Sequence, residues 1–388
     1  MSVDEFEWLP DHQLHVAATL AHADHLIERV TEALRPTLRD GAVELEDRYE
    51  DGLCFATVKS VKPLPPAVAL FTADALTQLR AAIEHVLFAE VERRVGRTIT
   101  EREARSIEMP AFTDADKFAS WITEGRRRTL APFREGSLLV RRMRELQPYN
   151  NRKRPDDHPL RLLAEHTNLA KHRTPVVAAT HVARIVPLAT PPGVVIPPAS
   201  GQPVKVGDVV AIAPAGTVLP MDVWPTVTIQ RPHTGERPVL VKELAYVADW
   251  VRTVAIPMLI IGRHNVTPLP SQLDTSRGWG DLRAALVDAG TTTAAERFAR
   301  SIRLVIAREG LRDIVAEHDP RPPRSEVSAW ITSLQDEEVF ARVKALKPGQ
   351  TGAEILRTAR VVDGWAHDLA AFTKASKTPI HPAMGARS

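Results

Sequence analysis

Apolar residues recur at helical spacing over residues 11–35, where Leu14, Ala17, Ala18, Ala21, Ile27, Val30 and Leu34 predict a first helix that Pro36 stops. Val43–Tyr49 and Leu53–Val61 are β-rich runs on either side of Glu50-Asp51-Gly52, and Asp-Gly between such runs predicts a hairpin. Residues 69–95 give the longest helix, with Leu76, Leu79, Ile83, Val86, Leu87 and Val91 on one face. Further helices are expected near 115–129, at 134–146, and from Pro159 to Lys171. From residue 175 the texture changes. Val176–Val186, Val204–Ala213, Val223–Gln230 and Pro238–Val241 are short and β-branched, and eleven prolines fall from Pro187 to Pro238. Prolines at that density belong to edge strands and turns. Lys242–Ile261 is helical in pattern with Pro257 inside it, and Asn265–Arg277 reads as a linker. The remainder predicts helices at 279–289, 292–309, 311–318, 325–334, 336–346 and 351–375, the last opened by the capping-box spacing Thr351-Gly352-Ala353-Glu354.

This order of elements predicts an α+β fold, mainly α. Residues 1–185 form a helical domain with a β-hairpin, 186–265 a β-rich portion closing with a helix, and 280–388 a C-terminal helical domain. The 388 residues have room for a core that needs neither disulfide nor metal. Cys54 is the single cysteine, so no internal disulfide forms and a reducing, cytoplasmic location is expected. The acidic N-terminal stretch is unlike a secretory signal, and the charge-free apolar run around Val254–Ile261 is too short for a bilayer. No membrane association is expected. Phosphate-binding P-loops, dinucleotide glycine fingerprints and nucleophile elbows are absent from the sequence.

Reactive residues concentrate in two helical stretches. Arg80, Glu84 and His85 lie within Leu76–Leu87, and Asn168, Lys171, His172 and Arg173 end the helix after Pro159. An arginine fork suits a phosphate, and an imidazole transfers protons near neutral pH. Arg80 and His85 lie about 140° apart around a helix, which favours a groove shared with a second element. A plainer reading pairs Arg80 with Glu84 at i,i+4 and leaves His85 at the edge. Basic residues at a helix C-terminus likewise suit its dipole without any ligand.

Charge adds a third candidate. The net charge is +2, yet Arg126–Arg154 holds ten Lys or Arg against Glu135 and Glu145. Arg126, Arg127, Arg128, Arg141, Arg142, Arg152, Lys153 and Arg154 form a footprint for nucleic acid, with Phe133 and Tyr149 as stacking surfaces. The alternative is a solvated face balanced by acids elsewhere. His12, His15, His22 and His25 form two His-x-x-His pairs, but one straight helix cannot wrap an ion with them, so no metal and no cofactor is expected.

The motifs Leu79-Arg80-Ala81-Ala82-Ile83-Glu84-His85, Gln147-Pro148-Tyr149, Pro159-Leu160 and Asn168-Leu169-Ala170-Lys171-His172-Arg173 follow the hairpin in order. This series resembles a family of uncharacterised bacterial proteins with Leu-Arg-Ser-Ala-Leu-Asp-His and Asp-Lys-His-Arg motifs, itself similar to the HEPN group of helical domains. Glu84 stands where the family has Asp, and Ala170 replaces the Asp before Lys-His-Arg. The resemblance implies a HEPN-like domain over 1–185 and a metal-independent RNA endonuclease of toxin or phage-defence type, working as a homodimer. Arg80 and His85 would be catalytic, with Glu84, Asn168, Lys171, His172 and Arg173 binding substrate. The C-terminal helical domain would take a protein partner. A non-catalytic adaptor, or a nucleic-acid-binding regulator using residues 126–154, is the alternative.

Overall fold

The computed structural model describes residues 3–39, 41–172, 176, 178–187, 191–198, 201–217, 221–346 and 352–377. The fold is α+β and mainly helical, in two compact units, Met1–Ala295 and Glu296–Ser388.

In the first unit, α1 (His15–Arg39) leads into the hairpin of β1 (Val43–Glu50) and β2 (Leu53–Val61). Pro36 does not stop α1 but sits inside its last turns, where its missing N–H removes one bond near the helix end. Asp51 (φ 49°) and Gly52 (φ 74°) both adopt the left-handed region, as a two-residue hairpin turn requires. Helix α2 (Pro66–Val95) starts on a proline, whose lacking donor is harmless there, and ends at Gly96 in the left-handed conformation. Helices α3 (Glu101–Ala104), α4 (Ala115–Thr123), α5 (Leu138–Glu145) and α6 (Pro159–His172) follow. Asp114 and Ser137 accept backbone N–H bonds at the starts of α4 and α5. The helix predicted to reach residue 129 ends at Thr123, because Gly125 (φ 66°) turns the chain into a 3₁₀ segment.

Strands β3 (Ala178–Pro187), β4 (Val209–Pro214) and β5 (Met221–Ile229) complete two small antiparallel sheets. Strand β4 joins the hairpin, giving the order β1-β2-β4, with Leu53 opposite Pro214. Strands β3 and β5 pair alone, so Pro225 is tolerated opposite Val182, where a bulge begins. Pro238–Val241 contributes only a Thr228–Val239 bridge before α7 (Leu240–Trp250) begins. A turn of π-helix, Val251–Ala255, joins α7 to α8 (Ile256–Ile261). The widening falls where Pro257 would otherwise clash with the carbonyl one turn before it.

The core of this unit gathers Val16, Leu20 and Ile27 of α1, Leu79, Ile83 and Leu87 of α2, Leu162 and Leu163 of α6, and Leu244, Val251 and Leu259 of the α7–α8 run. Helix α2 touches α1, α6, α7 and α8. Leu240–Ile261 is long and apolar enough to cross a membrane by length and composition. Here its inward residues complete this core, and Glu243 and Arg252 are buried with them. The segment predicted as a linker is anchored too: Leu269 and Leu273 are buried, and Trp8 Nε1 donates to Thr267 O at 3.0 Å. Helix α9 (Leu282–Asp288) follows it.

In the second unit, α10 (Ala294–Ala316) runs unbroken through Gly310, because Leu311 and Val315 belong to the core. It is followed by α11 (Arg324–Ser333), α12 (Asp336–Ala345) and α13 (Gly352–Lys377). Val327, Trp330, Ile331, Val339, Trp365 and Leu369 fill their shared interior. Thr351, the first residue of the predicted capping box, lies outside the described residues.

One buried ion centre ties three parts of the first unit together. Arg231, after β5, donates to Glu243 of α7 through Nε (2.7 Å) and Nη2 (2.9 Å), and through Nη1 to Asp157 (2.6 Å) and Glu236 (2.8 Å). Burial opposes its charge, but the carboxylates outweigh this and raise its pKa further. Arg231→Met leaves the buried Glu243 carboxylate unpaired. We expect it to destabilise the fold by about 3–5 kcal/mol, read from the urea midpoint of the full chain. Arg231→Met with Glu243→Leu should recover much of that loss.

Candidate functional site

The antiparallel packing of α1 on α2 sets the geometry of the candidate site. Gln13, just before α1, donates from Nε2 to Val86 O (3.2 Å) and to Glu90 Oε1 (3.0 Å). Arg29 lies over the Phe71 ring near the other end of the pair. In this register His15 meets His85, with ring centroids 6.3 Å apart and planes tilted by 53°. Both imidazoles are exposed. Residues Ala82, Ile83, Val86 and Leu87 of α2 are buried, so His85 faces outward from the core. The pKa of His15 is lowered by partial burial and then by the neighbouring His85. Both effects favour its neutral form.

Five residues further along α2 from His85, Glu90 is buried, at 2% exposure. His12 Nε2 lies 3.0 Å from its Oε1, and Arg94 pairs with its other oxygen. Burial alone would raise the carboxyl pKa, but the bonds from Gln13, His12 and Arg94 hold it below the ordinary value.

Arg80 and Glu84 form the i,i+4 pair at 2.5 Å. Together they grip one residue of the chain that follows α3. Arg80 Nη2 donates to Met109 O, and Met109 N–H donates to Glu84 Oε2 at 2.9 Å. Burial raises the pKa of Glu84, and Arg80 opposes that rise. The Arg80 fork is thus engaged within the fold, and its Nη1 is buried without a partner.

On α6, Asn168 and Lys171 are exposed and His166 is buried. The side chain of His172 and the whole of Arg173 lie outside the described residues. Neither ring nitrogen of His166 has a partner, and burial, aided by His233 and Arg231, lowers its pKa to about 4. His158 is also lowered to about 4 by burial, and its Nδ1 accepts from Leu160 N at 3.2 Å to cap α6.

The basic stretch divides. Arg127 lies 3.7 Å over the Trp121 ring, Arg142 donates to Leu259 O (2.9 Å) and Ile260 O (2.6 Å), and Arg154 pairs with Asp157 and Glu236. Arg141, Arg152 and Lys153 are exposed, and the side chains of Arg126 and Arg128 lie outside the described residues. Phe133 is fully buried and Tyr149 packs on Phe118, so Phe133 has no face for a base. His25 pairs with Glu28, and Asp24 accepts from Ala294 N–H at 2.9 Å. Among the described residues no group of three or more His, Cys, Asp or Glu is arranged to hold a metal.

Sequence reasoning missed the His15–His85 pair. Its signal was Glu90, a charge among the apolar positions of α2 that required partners from a neighbour. The Arg231 centre had no comparable signal, since Asp157 and Glu243 come from distant segments. No protein-family model, curated protein or solved structure matches the chain significantly.

Buried His166 and half-buried His158 are expected to make the fold acid-sensitive. Their folded-state pKa lies below that of the unfolded chain, so the unfolded chain takes up protons first. Their contribution to stability is full above pH 6.5 and is expected to be lost as pH falls from 6.5 towards 4. Each imidazole contributes a loss of about 3 kcal/mol. His166→Leu should flatten this decline without lowering stability at pH 7.5, measured as denaturation midpoints across the range.

Proposed function

We propose that the chain is a metal-independent RNA endonuclease of HEPN-like type, with His85 and His15 as its proton-transfer pair. The carrying observation is the meeting of these two exposed imidazoles at 6.3 Å across α1 and α2. Neutral His15 takes the proton of a ribose 2′-hydroxyl, and the freed oxygen attacks the adjacent phosphorus. His85 acts as the acid that gives a proton to the departing 5′-oxygen, leaving a 2′,3′-cyclic phosphate and a 5′-hydroxyl. Arg80 and Glu84 are positioning residues here, fixing the Met109 segment on α2. Asn168, Lys171, Arg141, Arg152 and Lys153 are exposed polar and basic groups for the RNA backbone. The imidazoles pair within one chain, so cleavage does not require the homodimer that the Arg80–His85 spacing called for. The setting of this reading is a cytoplasmic toxin or phage-defence system, with the C-terminal unit binding a protein partner.

A second reading has its own observation. Arg80 and Glu84 are both spent on the Met109 backbone, as in a purely structural motif of a non-catalytic interaction protein.

The test is cleavage of a mixed-sequence RNA by the purified chain, with melting as a folding control. His85→Ala and His15→Ala should each reduce the rate by about 10²–10⁴-fold. Chelator should have no effect. Because the His15 pKa is lowered, the acid limb of the rate profile should lie below the ordinary imidazole value of 6.5. Equal rates for wild type and His85→Ala, or no cleavage at all, would leave the interaction-protein reading in its place.

A further inference from the structure

Strand β1 is the outer strand of the sheet β1-β2-β4 and pairs on one side only. The two-residue turn closes the ladder at Glu50 and Leu53, so Glu46, Arg48 and Glu50 turn their backbone groups towards β2. The backbone N–H and C=O groups of Leu45, Asp47 and Tyr49 therefore point away from the sheet. The same alternation on β2 sends the backbone groups of Val58 the other way, to Asp208 O (2.9 Å) and Gly207 N–H (2.8 Å). No other described strand pairs with β1. Glu46, Asp47, Arg48, Tyr49 and Glu50 are all exposed, Tyr49 at 63%.

A bare edge is an open template for another strand, and folds guard it with lysine, proline or a bulge. Strand β1 has neither lysine nor proline, and its irregularity lies back between Glu44 and Leu45. What it carries is acid. Glu44, Glu46, Asp47 and Glu50 stand against Arg48 alone, four charges against one, a net charge of −3. Arg48 is already paired with Glu50 (2.7 Å), and Lys59 comes only within 4.0 Å of Glu44. Glu46 and Asp47 have no ion pair among the described residues and, being consecutive in a strand, project to opposite faces. Like charges set against each other repel a second copy of β1, whereas a basic strand would neutralise both faces.

We propose that this edge receives an extended basic peptide segment of a partner protein as a fourth strand, its lysine or arginine residues alternating with uncharged ones. Its backbone would bond the N–H and C=O groups of Leu45, Asp47 and Tyr49, and its cations would lie beside Glu46 and Glu50 on one face. This holds whether or not the histidine pair cleaves RNA.

The probe is a fluorescein-labelled Lys-Thr-Lys-Val-Lys-Thr-Lys peptide, followed by fluorescence polarisation against the full chain. Saturable binding is expected, weakening as salt rises. The same peptide N-methylated at every internal residue keeps its charge but cannot donate to the edge, and should bind about tenfold more weakly or worse. Asp47→Pro removes an N–H that β2 does not use, so melting should be unchanged while binding falls about tenfold or more. Should that variant fail to fold, Glu46→Lys with Asp47→Lys, at two exposed positions, should abolish binding. Absence of saturable binding would overturn the proposal. So would equal binding of the N-methylated peptide, which is adsorption by charge alone, or undiminished binding in a folded variant. A concentration-dependent dimer dispersed by Asp47→Pro would assign the edge to a second copy of the chain and overturn it as well.

Discussion

Helix α2 turns about half of its circumference inward, a wider arc than the stripe of an ordinary surface helix. Ala75, Leu76, Leu79, Ala82, Ile83, Val86, Leu87 and Val91 are all buried, beneath α1, α6, α7 and α8. The fate of every polar side chain on α2 follows from its angle to that arc. Glu90 falls inside it and must recruit His12, Gln13 and Arg94. Arg80 and Glu84 fall on its flank and fasten the Met109 backbone. His85 points away from it and meets His15 in solvent. Three roles on one helix arise from rotation alone.

What could be read in advance was what depends on near neighbours. The Asp51-Gly52 turn, the hairpin strands and the body of α2 carry their instructions within a few residues. The mainly helical α+β class follows from those elements. Longer-range features were hidden. Strand β4 completes the hairpin sheet from far along the chain, and nothing in Val209–Pro214 names β2 as its partner. Leu269 and Leu273 looked like incidental apolar residues in a proline-rich linker, because their burial depends on a surface assembled elsewhere. Pro36 misled for a related reason, whereas Pro257 was read correctly as lying inside a helix. A helix absorbs a proline near its end, or beside a π turn, when packing on its other residues outweighs one lost bond.

The candidate site shows the same division. Arg80, Glu84 and His85 were legible as a group, since five residues of helix fix their mutual angles. Their partners were not. Met109 binds through its backbone, which no side-chain motif records. His15 had been counted with the other histidines of the first helix, whereas only the antiparallel register separates it from His22 and sets it against His85. The basic stretch was legible as charge. Its division between Arg142 capping α8 and Arg141 in solvent depends on which side of α5 faces the core.

The breadth of the α2 arc also constrains the order of events during synthesis. Its partner α1 precedes it, but α6 and the α7–α8 run leave the ribosome only later. At about 5–20 residues per second, α2 waits on the order of ten seconds or more before Ile261 is made. Until then its apolar flank is uncovered in the nascent chain. When Leu240–Ile261 arrives, it is itself long and apolar enough, by length and composition, to span a membrane. Two broad apolar surfaces of the unit, made far apart in time, are therefore each other's cover once α7 and α8 pack on α2.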